Sequence, residues 1–199
     1  MTMAVELQAA VSVIRELFGA AACSCALATE DGAALRFVAA DGAGAAGIIG
    51  VTLPVGRGIA GWVALTGQPI AVGDVSRDER FARDIAEATE YVPTSILAAP
   101  LLDPEGETIG VIEVLDPLRG DDQSALGGQR GTGAELAALT VLASQVSSVV
   151  RLSGMVDSVP GVPPELVPAL AALTSMGDGG VRLAREVLES AATYVRGVR

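Results

Sequence analysis

Leu53-Pro54-Val55-Gly56-Arg57-Gly58-Ile59-Ala60-Gly61-Trp62-Val63 is the stretch on which the reading of this chain turns. Its first residues continue a strand-like run from Val51, and the glycines then break the extended backbone. From Ile59 the apolar residues take helical spacing, so the segment reads as strand, glycine-punctuated turn and helix in succession. Gly67 ends that helix. Towards the C-terminus, residues 69–72 read as another short strand. Residues 74–91 are charged and helical in part, with Phe81 and Ile85 spaced i, i+4 on one face. Residues 95–102 and 108–115 are apolar strands around the turn Asp103-Pro104-Glu105-Gly106, the clearest hairpin in the chain.

Towards the N-terminus, residues 4–18 place Val5, Leu7, Val11, Ile14, Leu17 and Phe18 near helical spacing. A second hairpin follows, with strands at 23–29 and 34–39 flanking Glu30-Asp31-Gly32, and then a Gly/Ala-rich loop at 41–50. Beyond the second apolar hairpin, 117–133 is a polar, glycine-rich linker. Residues 134–152 form a long helix striped by Leu136, Leu139, Val141, Leu142, Val146, Val149 and Val150. Prolines 160, 163 and 164 break the chain, and two further helices are expected near 164–176 and 180–196. The expected division is therefore a domain over 1–153 and a C-terminal helical extension over 154–199.

Half of the 199 residues are hydrophobic but only 3% are aromatic, so the core is built from Ala, Val, Leu and Ile. No uninterrupted apolar run reaches the roughly 18 residues of a membrane span, and no basic region leads into an apolar one at the N-terminus. A cytoplasmic protein without membrane contact is the expectation. The formal net charge is −11. Arg151, Arg182, Arg185, Arg196 and Arg199 cancel Asp157, Glu165, Asp178, Glu186 and Glu189, so the whole excess falls in 1–150. An acidic domain repels phosphate backbones, which argues against nucleic acid as a partner. The chain contains no His. That removes imidazole metal ligation, a His general base and the Ser-His-Asp and Cys-His arrangements. The two cysteines, Cys23 and Cys25, are too few for a disulfide framework.

The order of elements, together with particular residues, resembles the GAF domain. The quoted stretch is similar to the family's approach to its central helix. Gly67-Gln68-Pro69-Ile70 with Asp74-Val75 is similar to the strand after it, and 78–81 to the start of the variable ligand-side helix. Thr94-Ser95-Ile96-Leu97-Ala98-Ala99-Pro100-Leu101 and Ile109-Gly110-Val111-Ile112-Glu113-Val114-Leu115 resemble its last two core strands. The resemblance covers residues 4–152. It implies an α+β fold: a central antiparallel sheet of roughly five or six strands, with helices on both faces, the first and last on one and a pocket roofed by the variable helix on the other. The C-terminal helical pair lies outside it.

From that resemblance the candidate ligand-binding residues are Trp62, Phe81, Ile85, Tyr91, Thr94, Ser95, Ile96 and Glu113. Trp62 and Tyr91 combine apolar area with a polar tip, which suits a small-molecule site, although Trp62 equally suits the core. Glu113 stands inside an apolar strand, where an unpaired carboxylate is costly. It shares a face with Val111 and Leu115 if strand alternation holds, and it pairs with an Arg, meets a ligand donor or faces water. Cys23 and Cys25, i, i+2 in a strand, share one face. They read as small buried hydrophobes, with a thiol redox role as the remote alternative. Gly56-Arg57-Gly58 ahead of a helix could hold an anion but serves the turn equally well.

Departures from the family narrow the function. Members that bind cyclic nucleotides carry an Asn-Lys, Phe and Asp-Glu signature, whereas this chain has no Lys. Members that reduce free methionine sulfoxide use cysteines near the central helix and the penultimate strand, where this chain has Ala60 and residues 95–98. Bilin attachment lacks a placed Cys and haem lacks a His. No catalytic residue, metal site or cofactor is therefore expected. The expected function is a non-enzymatic sensory or regulatory module that binds a small ligand or a partner protein and acts on a separate output protein. The alternative is a ligand-free dimerisation or docking scaffold. A homodimer through the first helix and the 134–152 helix is expected, with residues 160–199 as a possible contact for a partner protein.

Overall fold

The computed structural model of the protein describes residues 3–118, 132–157 and, in the C-terminal part, 173, 177, 179–183, 185 and 186. The elements are α1 (Met3–Leu17), β1 (Ala22–Ala28), β2 (Ala34–Gly42), α2 (Ala45–Ile48), β3 (Thr52–Pro54), α3 (Gly58–Thr66), β4 (Ile70–Val72), a 3-10 turn (Val75–Arg77), α4 (Arg83–Ala88), β5 (Ile96–Leu102), β6 (Thr108–Leu115) and α5 (Thr132–Asp157).

The strands form one six-stranded antiparallel sheet in the order β3-β2-β1-β6-β5-β4. Both hairpins expected from turn chemistry are present, and β1 pairs with β6 to join them in the middle. Pro100 stands in β5 opposite Val111. The short β4 covers only Ile96 to Ala98 on the other edge, so the missing N–H of Pro100 interrupts no ladder there.

Strand alternation sorts the side chains into two layers. On one face Cys23, Cys25, Ala99, Leu101, Ile112 and Val114 pack against Leu7, Val11 and Ile14 of α1 and Leu139, Ala143 and Val146 of α5. On the other face Ala26, Leu35, Phe37, Ile96, Ala98 and Val111 pack against Ile59, Ala60 and Val63 of α3. By length and composition Gly133–Ser153, with a mean hydropathy of 1.4, could cross a membrane. Its Leu139, Ala143 and Val146 are nonetheless buried in the first layer, as in the core helix of a globular fold.

The stretch 53–63 folds as its glycines dictate. Gly56 and Gly58 have φ of +86° and +70°, the left-handed region that favours glycine. Gly61 serves a different purpose. Its N–H donates to the Arg57 carbonyl at 3.1 Å and its own carbonyl accepts from Gly56 at 2.8 Å. This brings the helix so close to β3 that a Cβ on Gly61 would stand 2.7 Å from the Pro54 oxygen.

One expectation is corrected. The loop at 41–50 contains α2, and β2 extends to Gly42. Residues 74–91 are helical in part, as expected: two short helical pieces form, and Asx turns separate them. Asp74 accepts from the Ser76 N–H and hydroxyl at 3.0 and 2.6 Å, and Asp78 accepts from the Arg80 N–H at 3.0 Å. At the other end α5 runs to Asp157. Of the expected helix at 164–176 only residue 173 is described, and of that at 180–196 residues 180–183, 185 and 186, which are helical; the remainder lies outside the described residues.

Candidate ligand pocket

Between the second face of the sheet and its roof lies a cavity of about 90 Å³. Ser24, Phe37, Ala40, Ile96, Glu113 and Leu115 form its floor. Ile59 and Ala60 of α3, Ala45 and Ile48 of α2, and Phe81, Ile85 and Ala86 in and before α4 form walls and roof. Thr89, Tyr91 and Pro93 close one side, and Asp41 stands at the end of β2. The lining is mostly apolar with a few polar groups, the usual make-up of a small-molecule site.

Of the candidate residues, Phe81, Ile85, Tyr91, Ile96 and Glu113 line this cavity. Trp62, Thr94 and Ser95 do not. Ile59, Ala60 and Val63 take the side of α3 that meets the sheet, which leaves Trp62 half-buried outside. Its ring lies under the Arg80 guanidinium, 4.7 Å from the centroid, and Asp78 holds that guanidinium through bonds of 2.8 and 2.6 Å. Thr94 and Ser95 are occupied by Asp116, which accepts from both their N–H groups (2.9 and 2.8 Å) and both hydroxyls (2.6 and 3.2 Å). Tyr91 donates to the same carboxylate at 2.5 Å. Asp116 has φ +48°, unusual for a non-glycine, and this set of bonds holds it there. Asp116 thus pins the 91–95 segment beside the cavity. Burial raises its pKa, but the bonds from Thr94, Tyr91 and Ser95 outweigh that and hold it below the ordinary value. Burial first, then the bond to Asp116, pushes the Tyr91 hydroxyl up to about 12.

Glu113 is the distinctive group. Its exposure is only 9%, and it makes no hydrogen bond or ion pair with any described residue. It lines the cavity, and burial alone raises its pKa to about 7. Ser24, itself buried, stands directly opposite it in the β1–β6 pairing. Asp41 also borders the cavity, but it stands opposite Cys23 in the β1–β2 pairing and its carboxylate is bridged at 2.6 Å to Arg15 of α1, on the other face of the sheet. No basic side chain is among the cavity-lining residues.

The sequence reading missed Ser24, Asp41 and the α2 residues. Ser24 carried the signal that exposed Glu113, a polar side chain inside an apolar strand. The α2 residues carried none, since a four-residue helix has no period to detect.

Cys23 and Cys25 are fully buried on the opposite face, under α1 and α5. Burial, with the neighbouring thiol second, raises the Cys23 pKa well above the thiol range, and burial raises Cys25 to about 12. Such thiols are not nucleophiles at neutral pH. A thiol reagent is expected to leave the native protein unlabelled and to label both cysteines once denaturant unfolds it. Rapid labelling in the native state would contradict the burial.

The family model of the GAF domain matches residues 3–150. This chain belongs to the GAF domain family. Its fold is similar to that of the GAF domain of an Acinetobacter phosphoenolpyruvate-protein phosphotransferase, with a TM-score of 0.62 and 20% identity over 79% of this chain and 87% of that one. It is similar in fold to free methionine-R-sulfoxide reductase from Neisseria meningitidis, solved in complex with its substrate, with a TM-score of 0.60 and 20% identity over 77% and 81% of the two chains. A dual 3',5'-cyclic-AMP and -GMP phosphodiesterase 11 of Drosophila melanogaster is 39% identical over 66 residues, which are 33% of this chain and 4% of that protein. The GAF domain thus matches only a small part of the length of such multidomain relatives. GAF domains are in general non-catalytic regulatory modules, and the Neisseria reductase shows that the fold also supports an enzyme.

Proposed function

We propose that this GAF domain is a non-enzymatic sensory module whose cavity binds a small ligand and whose outer helices and C-terminal segment pass the state of that cavity to a separate protein. The observation that carries the reading is the buried Glu113, without a partner among the described residues, in a mostly apolar cavity. A carboxyl group held there without a partner costs stability, and a ligand donor compensates for that cost. The roof consists of the short helices α2 and α4, and short elements shift more readily than the sheet below them. A ligand acts through that roof only by binding two of its arrangements with different affinity.

Pairing of two copies through α1 and α5 belongs to the same proposal. The outer surfaces of these helices carry Val13 (63% exposed), Leu17 (67%) and Val141 (63%), a poor arrangement for a surface meeting only water. The apolar residues of 160–199 (Leu166, Leu170, Leu173, Val181, Val187 and Leu188) are the proposed contact for the output protein.

Native mass spectrometry of the purified full chain tests the reading in one measurement. The expected spectrum shows a dimer with an additional small mass. A spectrum that stays apo in the presence of cell metabolites argues for a ligand-free scaffold instead. Leu17→Glu together with Val141→Glu is expected to shift sedimentation from dimer to monomer with the fold retained. Unchanged sedimentation would place the interface elsewhere.

A further inference from the structure

The chemistry of the cavity narrows the class of ligand, and this step rests on the reading that the cavity holds one. The acidic group on its floor is Glu113, and the lining residues include no Arg; Asp41 also borders the cavity, but it stands opposite Cys23 in the β1–β2 pairing, on the α1 face. Asp41 has a cation already, since Arg15 is bonded to it at 2.6 Å. Glu113 has none among the described residues, and it is nine-tenths buried and lines the cavity. Ser24 faces it across the strand pair, so a carboxylate and a hydroxyl acceptor stand side by side on the floor. An anionic ligand would enter against uncompensated like charge at short range in a medium of low dielectric.

We infer that this cavity selects a small organic cation, an aliphatic amine or amidine, with its positive head against the Glu113 carboxylate and the Ser24 hydroxyl and its apolar body against Phe81, Ile85 and Ile96. Size sets the length of that body. A cavity of about 150 Å³ holds benzene, so one of about 90 Å³ takes a chain of fewer carbons than a benzene ring.

Binding also moves a proton. With its pKa raised to about 7 by burial, the Glu113 carboxyl is partly protonated at neutral pH in the empty cavity. A cationic head stabilises the carboxylate, so the proton leaves for the solvent as the ligand enters. The other titratable groups around the cavity have partners of their own: Asp41 with Arg15, Tyr91 with Asp116, and Asp84 of α4 with Arg57 at the start of α3. Arg83 and Glu87 of α4 are exposed, α2 has no titratable side chain, and the Cys23 thiol of β1 points to the opposite face.

Calorimetric titration of the full chain with n-butylamine, n-butanol and butyrate, in two buffers of different ionisation enthalpy, tests this. Butylamine is expected to bind at least about tenfold more tightly than butanol, butyrate most weakly, and only butylamine should release protons. Glu113→Gln, which keeps the shape and removes the charge, is expected to bring butylamine down to the level of butanol and abolish the proton release. Equal binding of butylamine and butanol, preference for butyrate, or unchanged butylamine binding in E113Q would overturn the assignment. An anion retained in the native mass spectrum would also overturn it while leaving the cavity a ligand site. Failure of all three probes, with nothing retained, would remove the ligand-site reading as well.

Discussion

Glu113→Gln stabilises the protein at alkaline pH and leaves it nearly unchanged at acid pH. In the unfolded chain the carboxyl titrates near 4.5, and burial in the folded protein raises this to about 7. The folded state therefore holds more protons than the unfolded state between these values, and its stability falls as pH rises through that window. Below about pH 4 the group is neutral in both states and contributes no such penalty. Above the folded value the penalty is complete, about 3 kcal/mol for a shift of this size. Glutamine removes the charge but leaves an amide short of partners, at a cost of about 1 kcal/mol. The expected net gain is therefore about 2 kcal/mol at about pH 8, shrinking to nothing or to a small loss near pH 4. Urea unfolding of both proteins across this range measures it. Parallel stability profiles would show that Glu113 is neither desolvated nor unpartnered. Asp116 has the opposite sign, because its pKa is depressed. Its contribution is present above the unfolded carboxylate value and is lost only as pH falls through the lower folded one, outside the Glu113 window.

Gly61→Ala lowers stability although it lies inside a helix. Helix propensity alone favours alanine over glycine by about 1 kcal/mol. Here the added methyl would stand 2.7 Å from the Pro54 carbonyl oxygen and 3.1 Å from the Gly56 nitrogen, both backbone atoms that no rotamer change can move aside. α3 must separate from β3, and the Gly56–Gly61 hydrogen bond with it. An overpacking cost of about 3 kcal/mol exceeds the propensity gain and leaves a net loss of about 2 kcal/mol. For a domain of this size that is a drop in Tm of roughly 4–8 °C. An unchanged or higher Tm would show that the close approach is absent. The helix supplies Ile59 and Ala60 to the cavity, so its displacement is also expected to weaken ligand binding.

Much of the fold was legible along the chain because its signals are local. Turn chemistry at 30–32 and 103–106 marked two hairpins, and apolar periodicity marked α1, α3 and α5. The site was legible where a polar residue interrupted an apolar strand, as at Glu113. It was not legible where a side chain had a choice of partner. Trp62 has the composition of a pocket residue, yet Arg80 lies over its face outside the cavity. Thr94 and Ser95 have the same polar handles as any lining residue, and Asp116, distant in sequence, takes all of them. The 74–91 segment is helical in part, as its pattern indicated, but the places where local Asx bonds divide it were not legible.

The amino-acid sequence by itself determined the order of elements, the antiparallel hairpins, the small-residue core, the acidic surface and the membership of the GAF family. The first four follow from neighbours a few residues apart or from composition, and the family from the resemblance of particular motifs; none needs knowledge of what lies across the sheet. Only the tertiary structure decided that β1 lies beside β6, and this single pairing sets Ser24 against Glu113 and sends both cysteines to the far face. It also decided that Asp41 is paired with Arg15 while Glu113 has no partner among the described residues. Whether a buried carboxyl group has a partner depends on distances of a few ångströms between distant segments, and those distances are set by register and close packing rather than by any local pattern.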